Sequence, residues 1–309
     1  MNEALRDTEV LLSRSDRSAI WLQMGIARLT APLTAAAVIA WMRLARGYRL
    51  RDVLQIRREF AQRLAEPGAG PVVVCANHLT LIDSFLIAWA LSPPWRAALQ
   101  TRHYPWNLPE KRNFYTNLAK RLLCYLGKCI PVVRQGPREE TQRLLERVKW
   151  LLDRRQTLMI FPEGTRSRDG RVDTENFAYG VGTILQRSPT ARVACIYLRG
   201  NTQKGFSDFP ARKDEFRPQF LWLEPDWSAP GLRGARAIST RIVKTLAELE
   251  IEYFSWESAA AQPVANSELK NPIDLASVQA PVETALPQEL NHRATHSTAA
   301  AGSALAAGE

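Results

Sequence analysis

Histidine and cysteine are both scarce in this 309-residue sequence, at four each. Cys75, Cys124, Cys129 and Cys195 form no CxxC pair and have no histidine-rich neighbourhood, which excludes zinc ribbons and disulfide scaffolds. They read as ordinary buried thiols of a reducing compartment. The common catalytic signatures are missing as well: there is no GxxxxGK[ST] loop, no GxGxxG after a strand, no HExxH and no GxSxG elbow. P-loop nucleotide hydrolysis and α/β-hydrolase chemistry are thereby set aside. No internal repeat occurs, and residues 1–16 mix acids and bases where a cleavable signal needs a basic start and an apolar core. The charge-free run at residues 29–42 spans only ~21 Å as a helix, short of the ~30 Å hydrocarbon core.

What is present is globular. A hydrophobic share of 46% with nine Trp, ten Phe and seven Tyr supports a substantial core and excludes a chain disordered throughout. The net charge of +10 is uneven: residues 258–309 hold five acids and two bases, leaving +13 on residues 1–257. Such a body expects an anionic partner, and membrane surface, nucleic acid and acidic small molecules all qualify on charge alone. Residues 258–309 lack aromatics and any sustained apolar period, and read as a disordered tail in which His292 and His296 are incidental. Cofactor and metal sites are not expected.

Residues 29–42 read as an interfacial or re-entrant helix, with a buried core helix as the alternative. Extending it back to Ala19 takes in Arg28, at a cost of ~3 kcal/mol at mid-membrane, and sets Trp21 and Trp41 near the interfaces. Arg43, Arg46, Arg49 and Arg51 follow it, placed to meet anionic headgroups on the cytoplasmic side. Further on, strands are expected at 71–76, 157–161, 193–198 and 220–223, and helices at 84–91, 138–155 and 233–249. This alternation predicts a single α/β domain with a mostly covered mixed sheet flanked by helices. The expected organisation is an N-terminal membrane-associating helical region (1–60), the α/β domain (61–257) and the tail (258–309).

Two blocks carry chemistry. In Asn77-His78-Leu79-Thr80-Leu81-Ile82-Asp83, a strand ends and a helix begins, and five positions separate the imidazole from the carboxylate. Folded back across such a turn, Asp83 fixes the tautomer of His78 and raises the basicity of its other nitrogen. The plain alternative is Asp83 as a helix N-cap beside a loop histidine. The second block, Phe161-Pro162-Glu163-Gly164-Thr165-Arg166-Ser167, follows a strand directly. Its tight turn, loop N–H groups, Glu163 and Arg166 suit an anion, though a terminating turn with a surface ion pair explains the same residues. Cys75 and His103 read as packed residues without a role in the chemistry.

Together, NH-x4-D and FPEGTRS resemble the 1-acyl-glycerol-3-phosphate acyltransferase family of membrane-associated lysophospholipid acyltransferases, over about residues 72–198. The resemblance implies direct attack by an acceptor hydroxyl on an acyl thioester carried by acyl carrier protein or coenzyme A, with no acyl-enzyme and no resident cofactor. It makes His78 and Asp83 catalytic and Arg134, Glu163, Gly164, Thr165 and Arg166 acceptor-binding, Arg134 through the third block at residues 127–134. A lysophospholipid partner at the cytoplasmic face of the cell membrane follows, and nucleic acid does not. Two departures bear on the acceptor. Phe177-Ala178-Tyr179-Gly180 replaces Phe-Lys-x-Gly, and Val193-Ala194-Cys195 replaces Val-Pro-Val. A phosphate-free acceptor such as a lyso-ornithine lipid is therefore the alternative to lysophosphatidate. A non-catalytic lipid-binding scaffold on the same fold is the second.

Overall fold

The computed structural model describes residues 12–261, which fall in one compact unit. The tail read at 258–309 lies almost wholly outside the described residues, as do His292 and His296.

The chain opens with α1 (Arg14–Ala40), capped by Ser13, whose hydroxyl accepts the Asp16 N–H. A five-residue π-helical segment (Trp41–Ala45) prolongs it, so residues 29–42 sit inside a much longer helical rod. By length and composition this rod is able to cross a membrane, yet one side of it packs on the protein. Ile20, Met24, Ala27 and Ala31 recur at i, i+4, i+7 and i+11 and are buried, while Trp21, Leu22, Leu29, Leu33, Trp41 and Leu44 are exposed. A core helix is excluded by that second face. Two of the four arginines expected at headgroups are engaged within the fold: Arg46 donates to the Pro210 carbonyl and Arg51 pairs with Glu215 at 2.7 Å.

There follow β1 (Arg49–Leu50), α2 (Val53–Ala65), β2 (Val72–Ala76), α3 (Asp83–Leu91), α4 (Pro94–Leu99), β3 (Trp106–Asn107), α5 (Lys111–Phe114), α6 (Leu118–Leu126) and α7 (Arg138–Asp153). Then come β4 (Leu158–Ile160), α8 (Gly180–Gln186), β5 (Arg192–Tyr197), β6 (Glu215–Phe216), β7 (Gln219–Leu223) and α9 (Gly231–Ala261). α1 rests on α4 and α6.

The main sheet has the order β3-β4-β2-β5-β7. All its pairings are parallel except β5 with β7. The mixed α/β architecture is as expected. β2 and β5 are buried on both faces, as their unbroken apolar runs require of central parallel strands. One core layer lies between the sheet and α7, α8 and α9; the other holds α2, α3 and the end of the α1 rod. Because β2, β3 and β4 run the same way, the segments after each emerge at one carboxyl edge, where ligands of open α/β sheets bind.

Candidate active site

Both sequence blocks lie at that edge. β2 delivers Asn77 and His78, and Asn77 ties the end of β2 to the end of β5 by donating to the Leu198 carbonyl and accepting the Leu198 N–H (3.0 and 2.8 Å). His78 Nδ1 lies 3.0 Å from Asp83 Oδ2. Asp83 is not the N-cap: it is the first residue of α3, and its carboxylate points back along the chain. It accepts the N–H groups of Leu79 (2.6 Å) and Thr80 (2.8 Å) and the Thr80 hydroxyl. A carboxylate anchored by these donors fixes the Nδ1–H tautomer and leaves the Nε2 lone pair open. Nε2 has no protein partner among the described residues.

The FPEGTRS block wraps the same loop. Phe161 stacks under the imidazole with ring centroids 4.2 Å apart, and Ser167 donates its N–H to the His78 carbonyl at 2.9 Å. Gly164 has φ +72°, the left-handed conformation its tight turn needs, and an added Cβ would stand 3.2 Å from the Ala178 methyl. Ala178, where the family's lysine is absent, is thus beside this turn.

Glu163, expected among the acceptor contacts, is buried and turned inward, where Oε1 accepts the His78 N–H at 3.0 Å. Burial first, with the nearby charges of Glu250 and Asp83 acting the same way, pushes its pKa up to about 8. The carboxyl is therefore protonated at neutral pH, and in the unfolded chain it ionises near 4.5. The fold holds the extra proton between those values, so this group's stabilising contribution is full below about 4.5 and is lost as pH rises through about 8. Glu163→Gln, neutral at every pH with its acceptor kept, is expected to flatten the decline in Tm of the parent between pH 6 and 9. Thermal melts across that range check it, and parallel curves for the two proteins contradict it.

Arg166 reaches sideways to the 207–208 segment, bonding the Ser207 carbonyl (3.1 Å) and Asp208 (3.0 Å). That segment clamps the loop at residues 77–83 in turn, with Ser207 N–H on the Leu79 carbonyl and Leu81 N–H on the Asp208 carbonyl. Arg134 is carried by the third block, which runs parallel to the segment beginning with β3, as its bridges Cys129 to Asn107 and Val132 to Glu110 show. It sits beyond that run at the carboxyl edge, half exposed, its Nε 3.0 Å from Glu110. Lys128 anchors the block from below: wholly buried, it donates to the Tyr104 carbonyl at 2.6 Å, and desolvation lowers its pKa to about 7. Thr165 is exposed. Arg171 lies over the Phe254 ring and beside Glu250. Cys75 is buried within β2, and desolvation raises its thiol pKa. His103 is buried against Phe60.

Alongside α3 runs an apolar groove, about 530 Å³ of empty space counting its open mouth. Val38 and Ile39 of α1, Phe85 and Trp89 of α3, and Leu123 and Leu126 of α6 line it. Phe85, in the first turn of α3, is the groove residue nearest Asp83 in sequence, and the two lie on different faces of the helix.

An imidazole with one open ring nitrogen, a carboxylate that orients it and a cation at the same sheet edge are groups that acyl or ester chemistry can use. Residues 55–198 match the Acyltransferase family model. Curated relatives include the 1-acyl-sn-glycerol-3-phosphate acyltransferases of Limnanthes douglasii and Limnanthes alba, 31% and 30% identical over 100 residues. Those matches cover 32% of this chain and 32% of each relative, so the chain spans about a third of the length of the curated relatives it matches. Among solved structures, the 1-acyl-sn-glycerophosphate acyltransferase of Thermotoga maritima is similar at 16% identity, covering 74% of this chain and 96% of that one, with a TM-score of 0.39.

Proposed function

We propose that the chain is a membrane-surface O-acyltransferase that moves a fatty acyl chain from a thioester of coenzyme A or acyl carrier protein to the free hydroxyl of a lysophospholipid. The favoured acceptor is 1-acyl-glycerol-3-phosphate. One observation carries the reading: His78 is held by Asp83 with Nε2 open, at the sheet edge that also carries Arg134. Nε2 takes the proton of the acceptor hydroxyl as its oxygen bonds to the thioester carbonyl carbon, giving a tetrahedral oxyanion. As that intermediate collapses the C–S bond breaks, and the departing thiolate takes the proton back from Nε2. Asp83 stabilises the imidazolium between the two transfers. The nucleophiles nearest His78 in sequence are spent elsewhere, Cys75 within β2 in the core and the Thr80 hydroxyl on Asp83.

Arg134 is the exposed cation that meets the acceptor's phosphate, exchanging Glu110 for it, and Arg166 and Glu163 hold the loop in shape. The groove takes an acyl chain. The outer face of α1 lies in the cytoplasmic surface of the bilayer together with exposed Trp95 and Leu99 of α4 and Leu118 and Leu122 of α6.

Ala178 beside Gly164 favours a second reading, a phosphate-free acceptor such as lyso-ornithine lipid. The lost charged contact is worth about 1.5–3 kcal/mol, roughly 10- to 150-fold in kcat/KM. The test is kcat/KM for lysophosphatidate, glycerol-3-phosphate, lyso-ornithine lipid and lysophosphatidylcholine with one thioester donor. Lysophosphatidate is expected to lead, and Ala178→Lys to widen its lead by about tenfold. A strong preference for the phosphate-free acceptor transfers the assignment to the second reading, and transfer to none of them contradicts both.

A further inference from the structure

A second recess lies at the opposite edge of the sheet from the dyad. Its lining includes Arg28 of α1, Arg102 ahead of β3, and Arg154 and Arg155 ahead of β4. Since β3 and β4 run parallel to β2, residues preceding them stand at the amino edge, while His78 follows β2 at the carboxyl edge.

None of the four recess arginines has a carboxylate within ion-pair distance among the described residues, whereas Arg51, Arg187 and Arg192 each hold one. Arg154 is set in place: it lies over the Trp150 ring at 3.7 Å and donates to the Trp150 carbonyl, and Trp150 meets Trp21 edge to face. Trp21 and Arg28 are seven residues apart on α1, on one helical face. Arg155 spends one donor on the Glu66 carbonyl, and Arg28 and Arg102 have no protein partner among the described residues.

The two carboxamides of the recess add donors and no acceptor. Gln156 Oε1 faces Trp106 Nε1 and Lys128 Nζ, which only donate, so its NH₂ is what it offers outward. Gln100 Oε1 lies 2.9 Å from Nε2 of His103, a ring kept neutral by its burial and by the charges of Arg96 and Arg102. Four guanidinium forks and two NH₂ groups without a facing carboxylate suit a phosphate anion. Its rim tells where the phosphate comes from. Leu99 lines the recess and is 69% exposed, and Leu29, next to Arg28, is 80% exposed on the outer face of α1.

We infer that this recess seats the phosphate of an anionic membrane lipid, anchoring the α1 and α4 face to the bilayer at a point remote from the acyl-transfer site. The inference rests on the membrane-surface reading of that face. It is independent of the chemistry at His78.

The full chain is sedimented with vesicles of phosphatidylcholine alone and of phosphatidylcholine containing phosphatidate, at physiological ionic strength. Arg28→Gln with Arg102→Gln is expected to weaken binding to the phosphatidate vesicles by about 10- to 30-fold. Binding to phosphatidylcholine, which reports the apolar face alone, and acyl transfer in detergent micelles should be unchanged. A matched control, Arg58→Gln with Arg233→Gln, removes the same charge from exposed helix positions elsewhere. An equal loss in that control, no loss in the recess variant, or an equal loss on phosphatidylcholine each overturns the inference. Calorimetry with inorganic phosphate separates the sources: saturable binding of phosphate without any vesicle preference for phosphatidate also overturns the lipid assignment. Failure of the membrane reading itself shows differently, as a parent protein that binds neither kind of vesicle.

Discussion

His78→Ala is expected to lower kcat for acyl transfer by two to four orders of magnitude while leaving Tm close to that of the parent. The side chain is partly exposed, and its Nε2 has no protein partner among the described residues, so removal forfeits the Asp83 contact and the Phe161 stack but strands no deeply buried donor. A base acts on the acceptor hydroxyl in the transition state, and KM for both substrates should therefore change little. Steady-state kinetics with a lysolipid acceptor check it. Activity within a few-fold of the parent would remove His78 from the chemistry.

Asp83→Ala is expected to be damaging in two ways at once. Its carboxylate accepts from Leu79 N–H, Thr80 N–H and the Thr80 hydroxyl as well as facing the imidazole, and the site is buried. Leaving those donors without an acceptor costs about 3–5 kcal/mol of stability, and the freed imidazole loses its tautomer. Asp83→Asn retains one acceptor oxygen and is expected to recover much of the stability and little of the activity. Urea unfolding and kcat on the two variants separate these roles. Equal activity in Asp83→Asn and the parent would show that the charge on Asp83 does not support catalysis.

Much of this was legible in the residues themselves. The runs at 72–76 and 192–197 are apolar without alternation because both faces of a central parallel strand are covered. The stripe of α9, Ile238, Ile242, Val243, Leu246 and Leu249, continues to buried Tyr253, one turn past the expected end, so the longer helix was readable too. The two-residue strands β1, β3 and β6 carry no local signal, since their pairing depends on segments far away in sequence.

At the site, local spacing was enough for His78 and Asp83, which lie in one loop. It did not reveal the orientation of Glu163 or the partners of Arg134 and Arg166. Their contacts to His78 N–H, Glu110 and Asp208 join separate segments and depend on the packing of the edge as a whole. Asn77 and Thr80 were visible within the first block without a role. The lateral tie to Leu198 and the bond to Asp83 give them one. The interfacial reading of residues 29–42 left open which side of α1 packs on the protein, because apolar residues occur on both its packed and its exposed side.

The most direct test is a rapid-mixing experiment with a labelled acyl thioester and lysophosphatidate, following labelled lipid, free thiol and the intact mass of the protein together. Direct transfer from thioester to hydroxyl under His78 predicts one labelled phosphatidate for each thiol released, with the protein unlabelled at every time. Label appearing on the protein before the lipid, or thiol released with labelled fatty acid and no labelled lipid, would contradict it.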